Sequence, residues 1–469
     1  MKKRILIFAL LISVSVAYAQ EEEQKTEKLQ FTLQQAKDFA LENNFDVKNA
    51  VVDVEIAKKQ VWETTAIGLP QVSASASYQF IPGDIPVLDF GFGDESGGSG
   101  TEIPQGVTPE FAGMFGMMMA ETMGGMGEPR PIAEKHSGTV DLTVNQLVFN
   151  GEYIVGLQAS KTFKMLSNQA VEIKKNEVAE LVSGTYQLIL ILEENLKILQ
   201  SSYDNMVKIA DEMEEMHKVG FIEATDADQI KLTKSNLENS LKSVKRQIEI
   251  SHRLLKFQMG VDENTELELT QTLDELINEA NLLSITSENF DPANNLNIQL
   301  LETQVKISEL SFKREKATVL PSLSAFYRHE EKLNAPDFNF SIPDMIGLSL
   351  NVPIFASGSR NSKIQQAKLE LEKTRNSKEL AVQGIILEYN EAVSGYRNAL
   401  DNYYNQKENL GLSEKIYNNN LAKYKEGTVS SIDLTQAHNQ FLTTQSNYFN
   451  AVMELFSAKN KIESILNNI

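Results

Sequence analysis

LPQVSASASYQF at positions 69–80 and LPSLSAFY at 320–327 are the stretches on which the fold turns. In the first, Val72, Ala74, Ala76, Tyr78 and Phe80 alternate with Ser73, Ser75, Ser77 and Gln79. A period of two puts apolar side chains on one face of a strand and polar ones on the other. Leu323, Ala325 and Tyr327 repeat the pattern in the second stretch, although Phe326 interrupts its polar face. Two more alternating segments follow at about 138–149 and 344–355. Val140, Leu142, Val144 and Val148 mark one, and Ile346, Leu348, Leu350, Val352 and Ile354 the other.

Working outward, the chain repeats itself. Asn43-Asn44-Phe45-Asp46-Val47 recurs as Asn294-Asn295-Leu296-Asn297-Ile298, and Leu69-Pro70 as Leu320-Pro321, both at an offset of 251. Phe149 matches Phe355 at an offset of 206, and Gly220 and Asp226 match Gly427 and Asp433 at 207. The offset drops within one interval only, so a single insertion at 81–135 separates the two strands of the first repeat. The repeats run over 20–290 and 292–469. Each reads helix, strand, loop, strand, long helix, turn, helix.

The helix breakers support this division. All 12 prolines lie at 70–131, at 292 or at 321–353. Proline costs about 3 kcal/mol inside a helix, so the Pro-free stretches read as very long helices at about 152–216, 225–258, 358–424 and 432–466. Leu192, Leu196, Leu199, Tyr203, Met206, Ala210 and Met213 step alternately by four and three residues. Tyr389, Val393, Tyr396, Leu400, Tyr403, Leu410, Tyr417, Leu421 and Tyr424 continue such a seam, broken at Lys407 and Glu414. This is coiled-coil spacing. The segment at 259–291 is mixed. A compact helical bundle is the alternative, but it has no need of rods that long.

Residues 1–19 read as an export signal: Lys2, Lys3 and Arg4, an apolar stretch at 5–16, then Ala17-Tyr18-Ala19. A one-helix anchor is the rival, yet the apolar run is short of the about 20 residues a span requires. Losing three basic residues takes the formal net charge from −20 to −23. So acidic a chain is unsuited to nucleic acid. There is no cysteine, hence no disulfide and no lipid-modified N-terminal thiol. No phosphate loop, nucleophile–base pair or metal cluster points to an enzyme or a cofactor, and the five histidines show no ligand spacing.

Strands of about ten residues with one apolar face suit a tilted membrane barrel. Four of them cannot close, and lipid does not tolerate an open edge, so copies must associate if these strands lie in a membrane. The soluble alternative is a pair of hairpins packed on helices.

The chain resembles the TolC-like outer-membrane efflux proteins, or outer membrane factors. FTLQQAKDFALENNFDVKNA at 31–50 looks like the opening helix of that family, and the two LP stretches like the beginnings of its strands. LTVNQLVFNGEY at 142–153 and LSLNVPIFASGSR at 348–360 resemble its strand ends. KVGFIEATDADQ at 218–229 and YKEGTVSSIDLTQAHNQF at 424–441 resemble its two periplasmic turns. The resemblance implies a mainly α fold with a small transmembrane β part. It implies a homotrimer with a 12-stranded barrel in outer-membrane lipid on a 12-helix periplasmic tunnel, belted by 259–291 and the C-terminal tail. It also implies passive efflux, with a periplasmic adaptor (membrane fusion protein) and an inner-membrane transporter as partners.

By the same resemblance, Asp226 accepts a gating hydrogen bond from Tyr424, while Val429 replaces a locking arginine. Asp433 falls where an acidic ring faces the pore, and Gln436 stands neutral where relatives have a second acid. Rings of Asp select cations. Read from residue type alone, Tyr424 is a seam aromatic, and Asp226 and Asp433 are helix N-caps. Val219, Gly220, Phe221, Glu426, Gly427 and Thr428 would meet the adaptor, and both glycines also suit helix C-caps of positive φ.

The insertion contains GFGDESGGSG and GMFGMMMAETMGGMG. Thioethers suit Cu(I), which makes Met117, Met118 and Met119 metal candidates; an adaptable apolar loop is the plainer reading. A periplasmic adaptor or a structural coiled-coil envelope protein remain as alternative functions. The first would carry one hairpin in place of two full repeats, and the second would need no strands.

Overall fold

A computed structural model describes residues 28–83, 87–88, 130–131, 135–279, 290–334 and 342–467. The proposed signal segment, most of the insertion, and Met117, Met118 and Met119 lie outside the described residues. In chain order the elements are β1 (Lys28–Phe31), α1 (Leu33–Asn43), α2 (Phe45–Ala66), β2 (Gln71–Phe80), β3 (Val87–Leu88), β4 (Arg130–Pro131) and β5 (His136–Asn150). They continue with α3 (Gly151–Lys218), α4 (Ala224–Met259), β6 (Glu266–Leu269), α5 (Leu273–Glu279), a 3-10 turn at Pro292–Asn294 and α6 (Leu296–Ala317). The chain ends with β7 (Ser322–Lys332), β8 (Asp344–Asn351), α7 (Ser359–Lys425) and α8 (Ser431–Leu466). The fold is mainly helical with a small β part. It divides into two compact units, one of which takes Lys59–Lys161 and Glu309–Lys368, the other the rest.

The helical unit is built on rods of the expected kind. α3 has 68 residues and α7 has 67, each about 100 Å at 1.5 Å per residue. Leu192, Leu199, Met206 and Met213 of the first seam are buried, as are Tyr396, Leu400, Tyr403 and Tyr417 of the second. Lys407 and Glu414, which break the second seam, are exposed, and the Lys407 ammonium lies 5.6 Å from the Tyr403 ring centre. One core gathers Tyr186, Leu255, Met259, Tyr396, Phe449, Val452 and Leu455. A second, toward the turns, gathers Met206, Met213, Ile230, Tyr417, Leu434 and Phe441. No described helix is long and apolar enough to cross a membrane.

Three features depart from the expectation. The opening helix is two helices, because Asn44 interrupts it: its side-chain oxygen accepts from the backbone N–H groups of Asp46 and Val47, at 2.7 and 3.2 Å. The segment before it is a strand, β1, paired in parallel with β6 in the mixed segment. Four residues of local pattern did not announce it. Finally, the fourth membrane-type strand stops at Asn351, well short of 355. Pro353 lacks the N–H a ladder needs.

The duplication is visible atom by atom. Asn44 donates through its side-chain amide to the Gln258 carbonyl at 2.7 Å, and Asn295 donates to the Ile465 carbonyl at 2.9 Å. Asn295 also caps Asn297 and Ile298 as Asn44 caps its own successors. Each asparagine thus ties the start of one helix to the end of another. Gly260 makes the first junction possible. Its φ is +71°, and a Cβ there would sit 2.5 Å from the Asn43 carbonyl oxygen.

The other unit carries an antiparallel sheet in the order β2-β5-β7-β8. One strand of each repeat forms its centre, and a bulge lies between Leu147 and Phe149. Val72, Val144, Tyr327 and Ile346 stand in one row across all four strands, on the apolar face. The polar face holds Arg328, which donates to Asp141 at 2.6 and 2.8 Å and to Glu330 at 2.6 Å. Phe326, the residue out of pattern, lies over Gly347, where a Cβ would meet its ring at 2.5 Å. Every residue of β2 is exposed, and so is nearly every residue of β8. Among the described residues neither strand has a partner on its outer edge.

Candidate functional site: the paired helical turns

The two turns are quasi-equivalent. α3 ends on Gly220, whose φ of +80° only glycine adopts cheaply. Its N–H reaches the His217 carbonyl and that of Phe221 the Met216 carbonyl, both at 2.9 Å. α7 ends in the same way on Gly427, φ +73°, with Thr428 donating to the Lys423 carbonyl at 2.9 Å. Both glycines therefore act as the expected C-caps. Val219 and Phe221 are 68% and 79% exposed, and Glu426 and Thr428 are exposed as well.

The outgoing helices begin differently. Ser430 caps α8: its hydroxyl accepts from the Asp433 N–H, and the Asp433 carboxylate accepts from the Ser430 N–H, both at 3.2 Å. The Ser430 hydroxyl also donates to that carboxylate at 2.7 Å. These bonds, the hydroxyl first, hold the Asp433 carboxyl below its ordinary pKa. α4 has Glu223 at the same place, with no side-chain cap. Asp226 and Asp433 are thus the third residues of their helices, in the first turn, and the expectation that they are the N-caps is corrected. Asp433 and Gln436 lie three residues apart on the exposed side of α8.

Asp226 and Tyr424 do come together, in a cleft of about 600 Å³ that also takes in Met213, Phe221, Val429 and Ser431. They are not hydrogen-bonded to one another. The Asp226 carboxylate accepts from the hydroxyl of Ser431, a buried residue at the first position of α8. The Tyr424 hydroxyl donates instead to the Met213 sulfur. Burial raises the Tyr424 pKa most, and the charges of Asp226 and Glu212 add to it. Sequence reasoning missed Ser431. The doubled Ser430-Ser431 was the available signal, since one hydroxyl caps the helix and leaves the other to reach across.

Two turns further along α8 the packing holds His438. It is fully buried, with its ring 5.0 Å from that of Tyr417. Neither ring nitrogen has a hydrogen-bond partner, nor do the Tyr417 and Thr435 hydroxyls. Burial alone lowers the His438 pKa to about 4 and raises that of Tyr417 to about 12. Among the described residues, no group of three or more His, Asp or Glu is placed to hold a metal.

Solved structures with a similar fold include outer-membrane channels. The Campylobacter jejuni CmeC outer membrane channel superposes with a TM-score of 0.69 at 17% identity, over 93% of this chain and 85% of that one. CusC gives a TM-score of 0.70 at 15% identity, over 96% and 95%. VceC, an outer membrane protein of Vibrio cholerae, gives 0.66 at 14%, over 92% and 95%. No curated protein sequence matches the chain. Residues 292–468 match the family model described as outer membrane efflux protein, and the chain as a whole shares the fold of the outer-membrane channels named above.

Proposed function

We propose that three copies of this chain form a passive exit duct across an outer membrane, one component of a tripartite efflux system with a periplasmic adaptor and an inner-membrane transporter. The observation that carries this reading is the open sheet: two edge strands, β2 and β8, without outer partners among the described residues, and an apolar face turned to solvent. Backbone groups without partners cost several kcal/mol each in hydrocarbon, so such a sheet enters lipid only when closed by other copies. Three copies give 12 strands, wide enough for a passage. The polar face, with Asp141, Arg328 and Glu330, then lines that passage.

The turns serve as the gate. The Ser431–Asp226 bond joins the two hairpins, and a charge-assisted bond of this type contributes about 1.5–3 kcal/mol. That is enough to bias a closed state that a docked partner can overturn. Three Asp433 carboxylates around the closed end would favour cations, and the neutral Gln436 beside each keeps the preference modest. Val219, Gly220 and Phe221, with Glu426, Gly427 and Thr428, offer the grooves for an adaptor.

Planar-bilayer recording with light scattering in detergent tests this. The expected result is a trimeric mass and small conductance steps, with Ser431→Ala and Asp226→Ala raising the open fraction about tenfold, as a loss of roughly 1.4 kcal/mol implies. A monomer in detergent that conducts in neither form would overturn the proposal.

A further inference from the structure

In the unit that carries the sheet, the helix roots beside the strands have a charge unlike the rest of the chain. The formal net charge of the whole is −20, yet Lys59, Lys161, Lys313, Lys316, Arg360 and Lys363 cluster within about three turns of the strand ends. All but Arg360, which is half-buried, are exposed. With Arg314 they make seven cations against four carboxylates, Glu63, Glu152, Glu309 and Glu315, a local net charge of +3. Glu152 and Glu315 pair with Arg314, at 3.8 and 3.2 Å.

These roots lie side by side. The Tyr153 hydroxyl donates to the Thr65 carbonyl at 3.1 Å, which joins α3 to α2. Gly151 leaves room for Leu320 and Ala317, since a Cβ there would lie 2.6 and 3.3 Å from them, and this seats the start of α3 on the end of α6. The basic residues share stripes with apolar ones. Lys59 stands three residues before Trp62, Lys161 seven after Ile154, and Lys313 three before Lys316. Between these stripes and the apolar sheet face come exposed large side chains: Trp62 at 63%, Ile67, Phe149, Val319, Ile354, and Phe355 at 85%.

The order along the unit is therefore apolar strand, aromatic and aliphatic fringe, basic collar. That is the sequence of chemistries met on leaving a bilayer: hydrocarbon, interface, charged headgroups. We infer that the collar binds the anionic phospholipid headgroups of the leaflet facing the periplasm, and so sets the depth of the sheet. The inference rests on the membrane reading above and adds to it the lipid class and the residues that select it. Basic side chains near a surface attract acidic lipids, and salt weakens the attraction.

Trp62 is the single tryptophan of the chain and lies on the fringe, so the full-length protein reports on its own collar. The chain is reconstituted in phosphatidylcholine bilayers containing about a third phosphatidylglycerol. The bromine label, high on the acyl chains, is placed on one lipid or the other at equal bromine content. The expected result is about twofold stronger quenching by the labelled anionic lipid, falling to parity in high salt. The triple variant Lys59→Gln, Lys313→Gln, Lys316→Gln should also reach parity while still inserting. Equal quenching by both labels in an inserted wild-type protein overturns the inference and leaves the duct reading standing. No quenching by either label, with the protein recovered outside the vesicles, removes both.

Discussion

Replacing His438 with leucine probes the packing behind the paired turns. The imidazole is fully buried without hydrogen bonds, and burial alone takes its pKa from 6.5 to about 4. Once the tip opens, the ring takes up a proton near its ordinary pKa; while the tip is packed, it does so only near the lower one. The neutral ring thus stabilises the packed tip fully above the ordinary value, and this stability is lost as pH falls through the window between the two. At 1.36 kcal/mol per tenfold, moving from about pH 7.5 to about 4.5 costs the packed tip about 2.5 kcal/mol. Leucine abolishes that dependence. It also removes two buried nitrogens without partners, so at neutral pH the variant should be more stable by about 1–2 kcal/mol. Hydrogen exchange read by mass spectrometry on peptides covering 405–421 and 434–448, corrected for intrinsic rates, measures both effects. Protection in the wild type that does not change across this range, or an equal loss in His438→Leu, refutes the reasoning.

Gly260→Ala should be far more damaging than Gly220→Ala. Both force alanine into a left-handed conformation, at about 1 kcal/mol, but only at 260 does the new methyl strike a backbone, 2.5 Å from the Asn43 carbonyl. Urea unfolding followed by circular dichroism should separate the two by more than about 2 kcal/mol. Asn44→Ala and Asn295→Ala each remove three equivalent hydrogen bonds. Their penalties should agree within about 1 kcal/mol and each exceed about 2 kcal/mol; strongly unequal losses would argue against equivalent joints. Tyr186→Phe removes the donor to the Phe31 carbonyl at 3.1 Å and should cost about 1 kcal/mol, seen as faster exchange across β1 and β6.

Long-range order was legible in the chain wherever a period or a repeat carried it. The seam from Leu192 to Met213 and the alternation in Gln71–Phe80 are written in residue spacing, and the structure follows both within a few residues. Pairings between distant short segments were not legible. The ladder of Lys28–Phe31 with Glu266–Leu269 rests on four residues a side, too few for a period to register. The Asp226 partner was hidden for a related reason. Which hydroxyl reaches a carboxylate across two turns depends on how the helices pack, and Ser431 wins over Tyr424 because it is the buried one at the helix start.

The unequal starts of α4 and α8 carry a dynamic consequence. A side-chain cap steadies a helix end by about 1 kcal/mol; α8 has a reciprocal one and α4 has none. Thermal fraying is therefore expected sooner at the start of α4 than at the start of α8. The Ser431–Asp226 bond runs from the capped start of α8 to the uncapped start of α4, so breaking it should loosen the first hairpin before the second. In the three-copy duct proposed above, a ring sixfold in outline would then open by alternate staves.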